Sequence, residues 1–487
     1  MISGSEIKVL DRNAEYYGVP AHKLMENAGK GVADFIIKYL DSVNKNILVF
    51  CGLGNNGGDG FVAARYLAEK HNVTLFLTGL EKDIRTDISR KNFCKLKEIS
   101  LEIHDIESIS EIDRYLSEKN VIVDSMLGIG LSGSLRTPYS AIVEKINAAK
   151  KKTVISVDMP TGLGTDTAIK PEFTLTFHDV KNGMDRRNSG DIKILDIGIP
   201  KKAVECVGPG ELLVYYPKPK KESHKGDNGS VLVIGGGPYI GAPAMTALAA
   251  LRTGSDLAYI ATPKRAERAI STFSPNLIVK DLNSEFLNNR DIPTIIGLLH
   301  ICDTVIIGPG LGKLKETERA IIQLIDTVVE RNKPLVIDAD AIKPIGEQLE
   351  LIKNSTTVVT PHEMEFKKLT SSDIPQNIDG RIETVQKWAE KLGISIFLKG
   401  YVDVLSDGEK TKLNKIHNEA MTVGGTGDVL AGVIGALLSK GVKPFNAMRI
   451  AAFLNGEAGN EIFRKKSYGL IATDIIEEIP VILKKYL

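Results

Sequence analysis

What most narrows the folds open to this chain is a repeated alternation of short, unbroken apolar runs with helical stretches. In the first half the runs are Ile47–Cys51, Val73–Leu77, Val121–Asp124, Val154–Asp158 and Leu175–Phe177. In the second half they are Val231–Ile234, Leu257–Ile260, Val305–Ile307, Leu335–Ile337, Thr357–Val359 and Ile396–Leu398. Helical patterns fall between them, notably His22–Leu40 and Gly60–Lys70, and a further helix begins near Asp428. A strand covered on both faces reads as a continuous Val/Ile/Leu run, and parallel neighbours need a crossover that is usually a helix. The expected class is therefore α/β, with two doubly wound domains. The stretch Tyr215–Gly229, rich in Pro, Lys and Gly, interrupts the pattern and reads as a linker with a solvated basic cluster, Lys218, Lys220 and Lys221. It divides the 487 residues into domains spanning 1–216 and 217–487.

Charge and apolar content exclude several classes of function. Lys plus Arg, 62, nearly cancel Asp plus Glu, 61, so no long-range field draws the chain to nucleic acid or an anionic membrane. No apolar run approaches the roughly 20 residues that span a bilayer. Residues 1–20 carry Glu6, Asp11 and Glu15 instead of the apolar core of a secretory signal. The four cysteines, Cys51, Cys94, Cys206 and Cys302, are scattered and read as small hydrophobes in a reducing compartment. A cytoplasmic protein without nucleic-acid or membrane partners is expected.

In the first half, the run Ile47–Cys51 leads into Gly52-Leu53-Gly54-Asn55-Asn56-Gly57-Gly58-Asp59-Gly60 and then a helix. Glycines let backbone approach a ligand closely, and a helix start offers bare N–H groups. The G-x-G-x-x-G spacing of dinucleotide-binding folds is present. The acidic residue that should end the next strand is not: Leu77-Thr78-Gly79 stands there. Asn55, Asn56 and Asp59 instead supply oxygens suited to a hard cation or sugar hydroxyls. Asp124 and Asp158 end two more strands, followed by Gly128–Arg136 and Pro160-Thr161-Gly162. Ligands of open α/β sheets bind beyond the carboxyl ends of strands, so these segments can share one crevice.

Taken together, Leu24-Met25-Glu26-Asn27-Ala28-Gly29, Asn55–Gly60, Gly128–Arg136, Val157–Gly162 and Asp196-Ile197-Gly198-Ile199-Pro200 resemble the NAD(P)H-hydrate epimerase domain, over nearly all of residues 1–216. The resemblance implies a Rossmann-like three-layer sandwich that interconverts the R and S epimers of hydrated NADH and NADPH, NAD(P)HX. It implies that Asn55, Asn56, Gly57, Gly58, Asp59, Gly128, Ile129, Gly130, Leu131, Ser132, Gly133, Ser134 and Asp158 hold the hydrate. It further implies that Asn56, Asp124 and Thr161 ligate K⁺. Asp158 is the candidate catalytic acid/base, because a carboxylate at that crevice can exchange protons with the ring.

The second half ends in Thr422-Val423-Gly424-Gly425-Thr426-Gly427-Asp428 and an apolar helix. Asp428 at that helix start can act as base toward a hydroxyl while bare amides stabilise a transferring phosphoryl group. Four more strand ends carry chemistry: Gly308–Gly312, Asp338–Asp340, Thr360–Glu365 and Lys399-Gly400. The glycine-rich turn after Val233-Ile234 again lacks a ribose-binding acid, since the next strand ends in Ala261-Thr262-Pro263.

With Lys225-Gly226-Asp227-Asn228-Gly229, the Gly241-Ala242-Pro243 turn and Met421–Gly432, these motifs resemble the NAD(P)H-hydrate dehydratase branch of the ribokinase-like superfamily, from about residue 225 onward. The resemblance implies a ribokinase-like three-layer sandwich and ADP-dependent dehydration of the S epimer, yielding NAD(P)H, AMP and phosphate. It implies that Ala242, Gly312, His362, Glu363, Met364, Glu365, Phe366, Lys367 and Lys368 contact the hydrate. Lys399, Gly400, Tyr401, Val402, Asp403, Asn418, Glu419, Ala420, Met421, Thr422, Val423, Gly424, Gly425, Thr426 and Gly427 would contact ADP. Asp428 would lie between nucleotide phosphate and hydrate, with Mg²⁺ expected on the nucleotide, and self-association is expected of the family. The alternative is a ribokinase-like small-molecule kinase, such as one acting on a vitamin precursor, with an N-terminal binding module. A nicotinamide dehydrogenase fits less well, since both halves lack the ribose-binding acid.

Overall fold

The computed structural model describes residues 1–105, 112–118, 121–130, 133–150 and 152–487, so the expectations for Leu131 and Ser132 lie outside the described residues. The chain divides into two compact units, Met1–Val204 and Glu205–Leu487. The helix Pro209–Tyr215 belongs to the second: buried Glu211 pairs with buried Arg449 at 3.1 Å.

The first unit is built on a seven-stranded sheet. Its strands are β1 (Asn46–Cys51), β2 (Asn72–Leu77), β3 (Glu102–Asp105), β4 (Val121–Ser125), β5 (Thr153–Val157), β6 (Phe173–Phe177) and β7 (Asp191–Leu195). All neighbours are parallel, in the order β3-β2-β1-β4-β5-β6-β7. Successive residues of a strand face opposite ways. Accordingly Ile47, Val49 and Cys51 of β1 join one apolar cluster with helices Ala21–Leu40, Asn55–Leu67 and Asp87–Lys97. Leu48 and Phe50 join another with helices Ile112–Glu118 and Tyr139–Ala148. This is the expected three-layer sandwich. The order reverses between β1 and β4, so their carboxyl ends flank the crevice where open α/β sheets bind ligands.

The second unit carries nine strands: β8 (Ser230–Ile234), β9 (Leu257–Thr262), β10 (Ile278–Asp281), β11 (Thr304–Ile307), β12 (Leu335–Ile337), β13 (Thr357–Val359), β14 (Ser395–Leu398), β15 (Asp403–Ser406) and β16 (Thr411–Asn414). Their order is β10-β9-β8-β11-β12-β13-β14-β15-β16, parallel as far as β14 and antiparallel through β15 and β16. Here the reversal lies between β8 and β11.

One close approach sets how the helix that begins at Thr426 packs. Helices Gly241–Arg252 and Thr426–Ser439 cross at Gly432, where an added Cβ would stand 2.2 Å from the Thr246 carbonyl oxygen. Backbone on one side leaves no rotamer to move away. Gly432→Val should therefore cost about 1–3 kcal/mol, seen as a lower urea midpoint for the second unit.

The segment Lys225–Gly229 has a structural part. The Asp256 carboxylate accepts from Gly226 N at 2.8 Å and Asn228 N at 3.1 Å, holding the chain as it enters β8, at the amino end of the strand. No helix among the described residues is long and apolar enough to cross a membrane. All four cysteines are free.

Candidate functional sites

In the first unit, Asn55, Asn56, Gly57, Gly58 and Asp59 are the first residues of helix Asn55–Leu67, where a loop running to residue 60 was expected. The glycines explain the difference. Added Cβ atoms at Gly57 and Gly60 would stand 1.8 Å from the Gly52 oxygen and 2.6 Å from Cys51 Sγ, so the helix starts directly against β1. Gly54 is its N-cap and gives no side-chain bond to the first amides. Those amides are free to meet an anion.

Asp124, at the end of β4, is fully buried. Ser156 Oγ at 2.8 Å and Thr161 N at 2.9 Å donate to its Oδ2. Thr161 Oγ1 at 2.6 Å and Met126 N at 3.3 Å donate to Oδ1. Burial raises its pKa against those hydrogen bonds. Asn56 lies alongside Gly128, and both polar atoms of its side chain are buried without a partner. A buried, unpaired amide is costly and calls for an explanation. Asp124, Thr161 and Asn56 bring side-chain oxygens to this region, the donor type that a hard cation takes.

Gly128 and Ile129 line a cavity of about 200 Å³ with Gly4, Met159, Pro160, Gly162, Leu163, Lys181 and Asn182. Gly133 and Ser134 are exposed. Asp158 adjoins this lining without forming part of it and is 9% exposed. Its φ of 64° is left-handed, a strain of about 1–3 kcal/mol for a residue with a side chain. The buried Lys181 ammonium forms an ion pair with Asp158 Oδ1. Two further carboxyls feel Asp158. Asp59 is pushed well up by burial and then by the Asp158 and Asp11 charges. Asp11 is open to solvent but crowded by surrounding protein; burial and then Asp158 raise its pKa to about 6. Sequence reasoning missed Lys181 as part of this cavity, since it stands in no glycine-rich or strand-end motif.

In the second unit, Gly425, at φ 98°, caps helix Thr426–Ser439 without a side-chain bond, so bare amides surround Asp428 in its first turn. Burial first, then Asp338, raises the Asp428 pKa to about 7, with Lys399 opposing and Asp340 assisting. Lys399 follows β14. Its Nζ meets Asp338 Oδ1 at 2.9 Å and Glu365 Oε2 at 3.8 Å, and it lies against Gly427. Burial opposes its charge, but Asp338, Glu365 and Asp428 outweigh that and raise its pKa. Thr360 Oγ1 donates to the same Asp338 oxygen at 2.7 Å, and Gly312 N to Asp340 Oδ2 at 2.9 Å. The ends of β12, β13 and β14 and the turn after β11 therefore share a connected set of polar contacts around Lys399, Asp338 and Asp340. Ala242 opens the helix that Gly432 touches.

Some expected contacts are not available. Phe366 is fully buried, because helix Glu363–Thr370 turns that residue into the core, so its side chain cannot touch a ligand. Lys367 pairs with Asp373 at 2.7 Å. The His362 ring caps the same helix, Nδ1 accepting from Met364 N at 3.1 Å. Met364 is exposed. Asp403 is committed to holding its loop: Oδ1 accepts from Gly400 N at 2.9 Å and Oδ2 from Asn414 Nδ2 at 2.8 Å. His417, raised by its bond to Asp403, reaches the Tyr401 oxygen at 2.9 Å. Asn418 bonds Asn460, Glu419 bonds Tyr468, and Thr426 Oγ1 donates to Met421 O at 3.0 Å, while Gly424 faces open space. Tyr401 is exposed beside these loops.

The family model described as NAD(P)H-hydrate dehydratase matches residues 231–481, and that of YjeF-related protein N-terminus matches 21–183. The bifunctional NAD(P)H-hydrate repair enzyme Nnr of Pyrobaculum aerophilum is 39% identical, over 100% of this chain and 98% of its own. The chain belongs to the bifunctional NAD(P)H-hydrate repair enzyme family. The Hyperthermus butylicus member is 38% identical, covering 98% of this chain and 91% of its own. A ribokinase-like superfamily protein from Enterococcus faecalis superposes with a TM-score of 0.50 and 25% identity, covering 58% of this chain and 96% of that one. Repair of hydrated NADH and NADPH is this family's function, and the chain carries both of its domains. Gly4, which lines the first unit's cavity, precedes the matched stretch 21–183.

Proposed function

We propose that the first unit epimerises NAD(P)HX and that the second dehydrates the S epimer at the expense of ADP, with Asp428 as base. The observation that carries the second assignment is the Asp428 carboxyl, with a pKa of about 7, in the uncapped first turn of a helix beside Lys399. A base tuned to neutrality can take the proton of the hydrate's hydroxyl as its oxygen attacks a nucleotide phosphorus. The helix amides and Lys399 stabilise the charge that develops on phosphoryl oxygens. Phosphate then departs with the C–O electron pair as the ring nitrogen's lone pair forms C=N⁺, and loss of the proton from the adjacent ring carbon closes the ring C=C bond and returns the pair to nitrogen. NAD(P)H, AMP and phosphate result. The second-unit residues named from the sequence would grip hydrate and nucleotide, save that Phe366 and Asp403 act by packing and by holding a loop. Mg²⁺ would arrive on the nucleotide's phosphates.

In the first unit, Asn56, Asp124 and Thr161 would hold K⁺, which supplies a fixed positive charge for the hydrate when bound. The Asn55–Asp59 helix start and the Gly128–Ser134 turn would hold the hydrate itself. The ring nitrogen's lone pair expels the hydroxyl, which leaves as water with a proton from a carboxylic acid. Water then adds to the other face and returns a proton to a carboxylate. Asp59, pushed up by burial, suits the acid role, and Asp158 beside Lys181 suits the base.

Two results test this reading. Purified protein given the S epimer and ADP should release AMP and phosphate as NADH returns; a stable phosphorylated product would indicate a small-molecule kinase instead. Dehydration also depends on the Asp428 carboxylate, the group that faces Asp338, Asp340 and Lys399. Because its pKa lies near 7, kcat/KM should fall about tenfold per pH unit below that value and level off above it. A profile flat between pH ~5 and ~8 would remove Asp428 from the base role.

A further inference from the structure

Lys181 is buried at 3% exposure and lines the first unit's cavity. An ammonium has three N–H donors. Three acceptors take them: Asp158 Oδ1, Thr176 Oγ1 at 2.8 Å and the Phe177 carbonyl at 2.7 Å. None remains for a ligand. Asp158 receives Phe177 N at 3.4 Å on the same Oδ1, so among the described residues no donor meets its Oδ2. Met159 and Pro160 beside Asp158, and Asn182 beside Lys181, line the cavity with Gly128 and Ile129.

The segment bearing Lys181 is itself clamped. Ile2 N donates to the Val180 carbonyl at 2.8 Å, and Asn182 N donates to the Ile2 carbonyl at 3.0 Å. Asp158 at φ 64° and His178 at φ 67° are both left-handed. Such backbone persists where its surroundings over-determine it, and is a frequent mark of a working site. The ammonium anchors one end of this arrangement and the Ile2 clamp the other.

We propose that Lys181 is a positioning residue for epimerisation, locking Oδ1 of Asp158 so that Oδ2 is the oxygen presented to the hydroxyl of the hydrated ring. This rests on the epimerase reading of the first unit. Lys181 acts through Asp158, and the Ile2 clamp acts through Lys181.

The test uses the full chain and R-NADHX, with ADP present so that any S epimer formed is drawn off. The wild type must first consume the R epimer faster than it converts unaided; if it does not, the epimerase reading itself fails. Given that activity, Lys181→Met should lower epimerase kcat by about thirtyfold or more while KM stays within about threefold. Lys181→Arg, which keeps a cation, should recover part of the loss. Unchanged S-epimer dehydration and an unchanged unfolding profile would show that the chain is intact. A Lys181→Met protein with kcat within about threefold of wild type, or with the loss carried by KM, overturns the proposal. Should Lys181→Met fail to fold, Ile2→Pro decides. It removes the donor to Val180 and leaves the buried charges in place, and it should lower kcat by about three- to tenfold. Full activity in that variant would equally overturn the proposal.

Discussion

Asp428→Asn should lose ADP-dependent dehydration by about a thousandfold while its epimerase activity matches the wild type. The carboxamide has the shape of the carboxyl but cannot take a proton from the hydrate. Its neighbours keep their partners, since Lys399 remains paired with Asp338 and Asp338 with Thr360. The fold should not suffer. Asp428 has a folded-state pKa near 7, raised above the ordinary carboxylate value near 4. A group raised in this way favours folding fully below its unfolded pKa, and that contribution is lost as pH rises through the folded one. At pH ~8 the buried charge therefore opposes folding, and Asn removes it. The variant's Tm at that pH should be no lower than that of the wild type. A parallel loss of both activities, or a lower Tm, would show that Asp428 is structural and the division of labour mistaken.

Asp158→Asn should do the converse. Consumption of the R epimer should fall by about a hundredfold or more, to the unaided rate, while S-epimer turnover is unchanged. Asn is the informative replacement for two reasons. It tolerates the left-handed conformation at φ 64°, and its amide oxygen still accepts from Lys181. Asp158→Ala would strand the Lys181 ammonium, and leaving one partner of a buried pair alone costs roughly 3–5 kcal/mol. A loss in Ala but not in Asn would therefore report folding and not chemistry. An Asn variant that consumes R-NADHX at the wild-type rate would remove Asp158 from the reaction.

The sequence exposed the sheet cores readily because their strands are apolar on both faces. Every apolar run from Ile47–Cys51 to Ile396–Leu398 overlaps a strand. Five strands escaped notice, all at or near sheet edges: β3 reads EIHD, β7 DIKIL, β10 IVKD, β15 DVLS and β16 TKLN. β3, β7 and β10 are partly solvated and admit charges, which hides the pattern, whereas β15 and β16 are buried but only four residues long and at least half polar. The early start of helix Asn55–Leu67 escaped because glycine and asparagine ordinarily mark turns, and only contact with Gly52 and Cys51 explains them there. Asp428, Asp338 and Lys399 were legible as strand ends and a helix start. The Lys181–Asp158 pair was not, because 23 residues separate its members and the fold alone joins them. Phe366 illustrates the opposite error: a contiguous segment was assigned to a ligand, though a helix turns each successive residue by about 100°.

The most direct test of two repair sites in one chain follows the return of dihydronicotinamide absorbance from mixed R and S NADHX with ADP. The wild type should restore all of it in one rapid course. Asp158→Asn should restore the S fraction rapidly and the rest at the unaided rate, and Asp428→Asn should restore none. A wild type that halts at the S fraction, or that consumes ADP without any return of absorbance, would contradict the account.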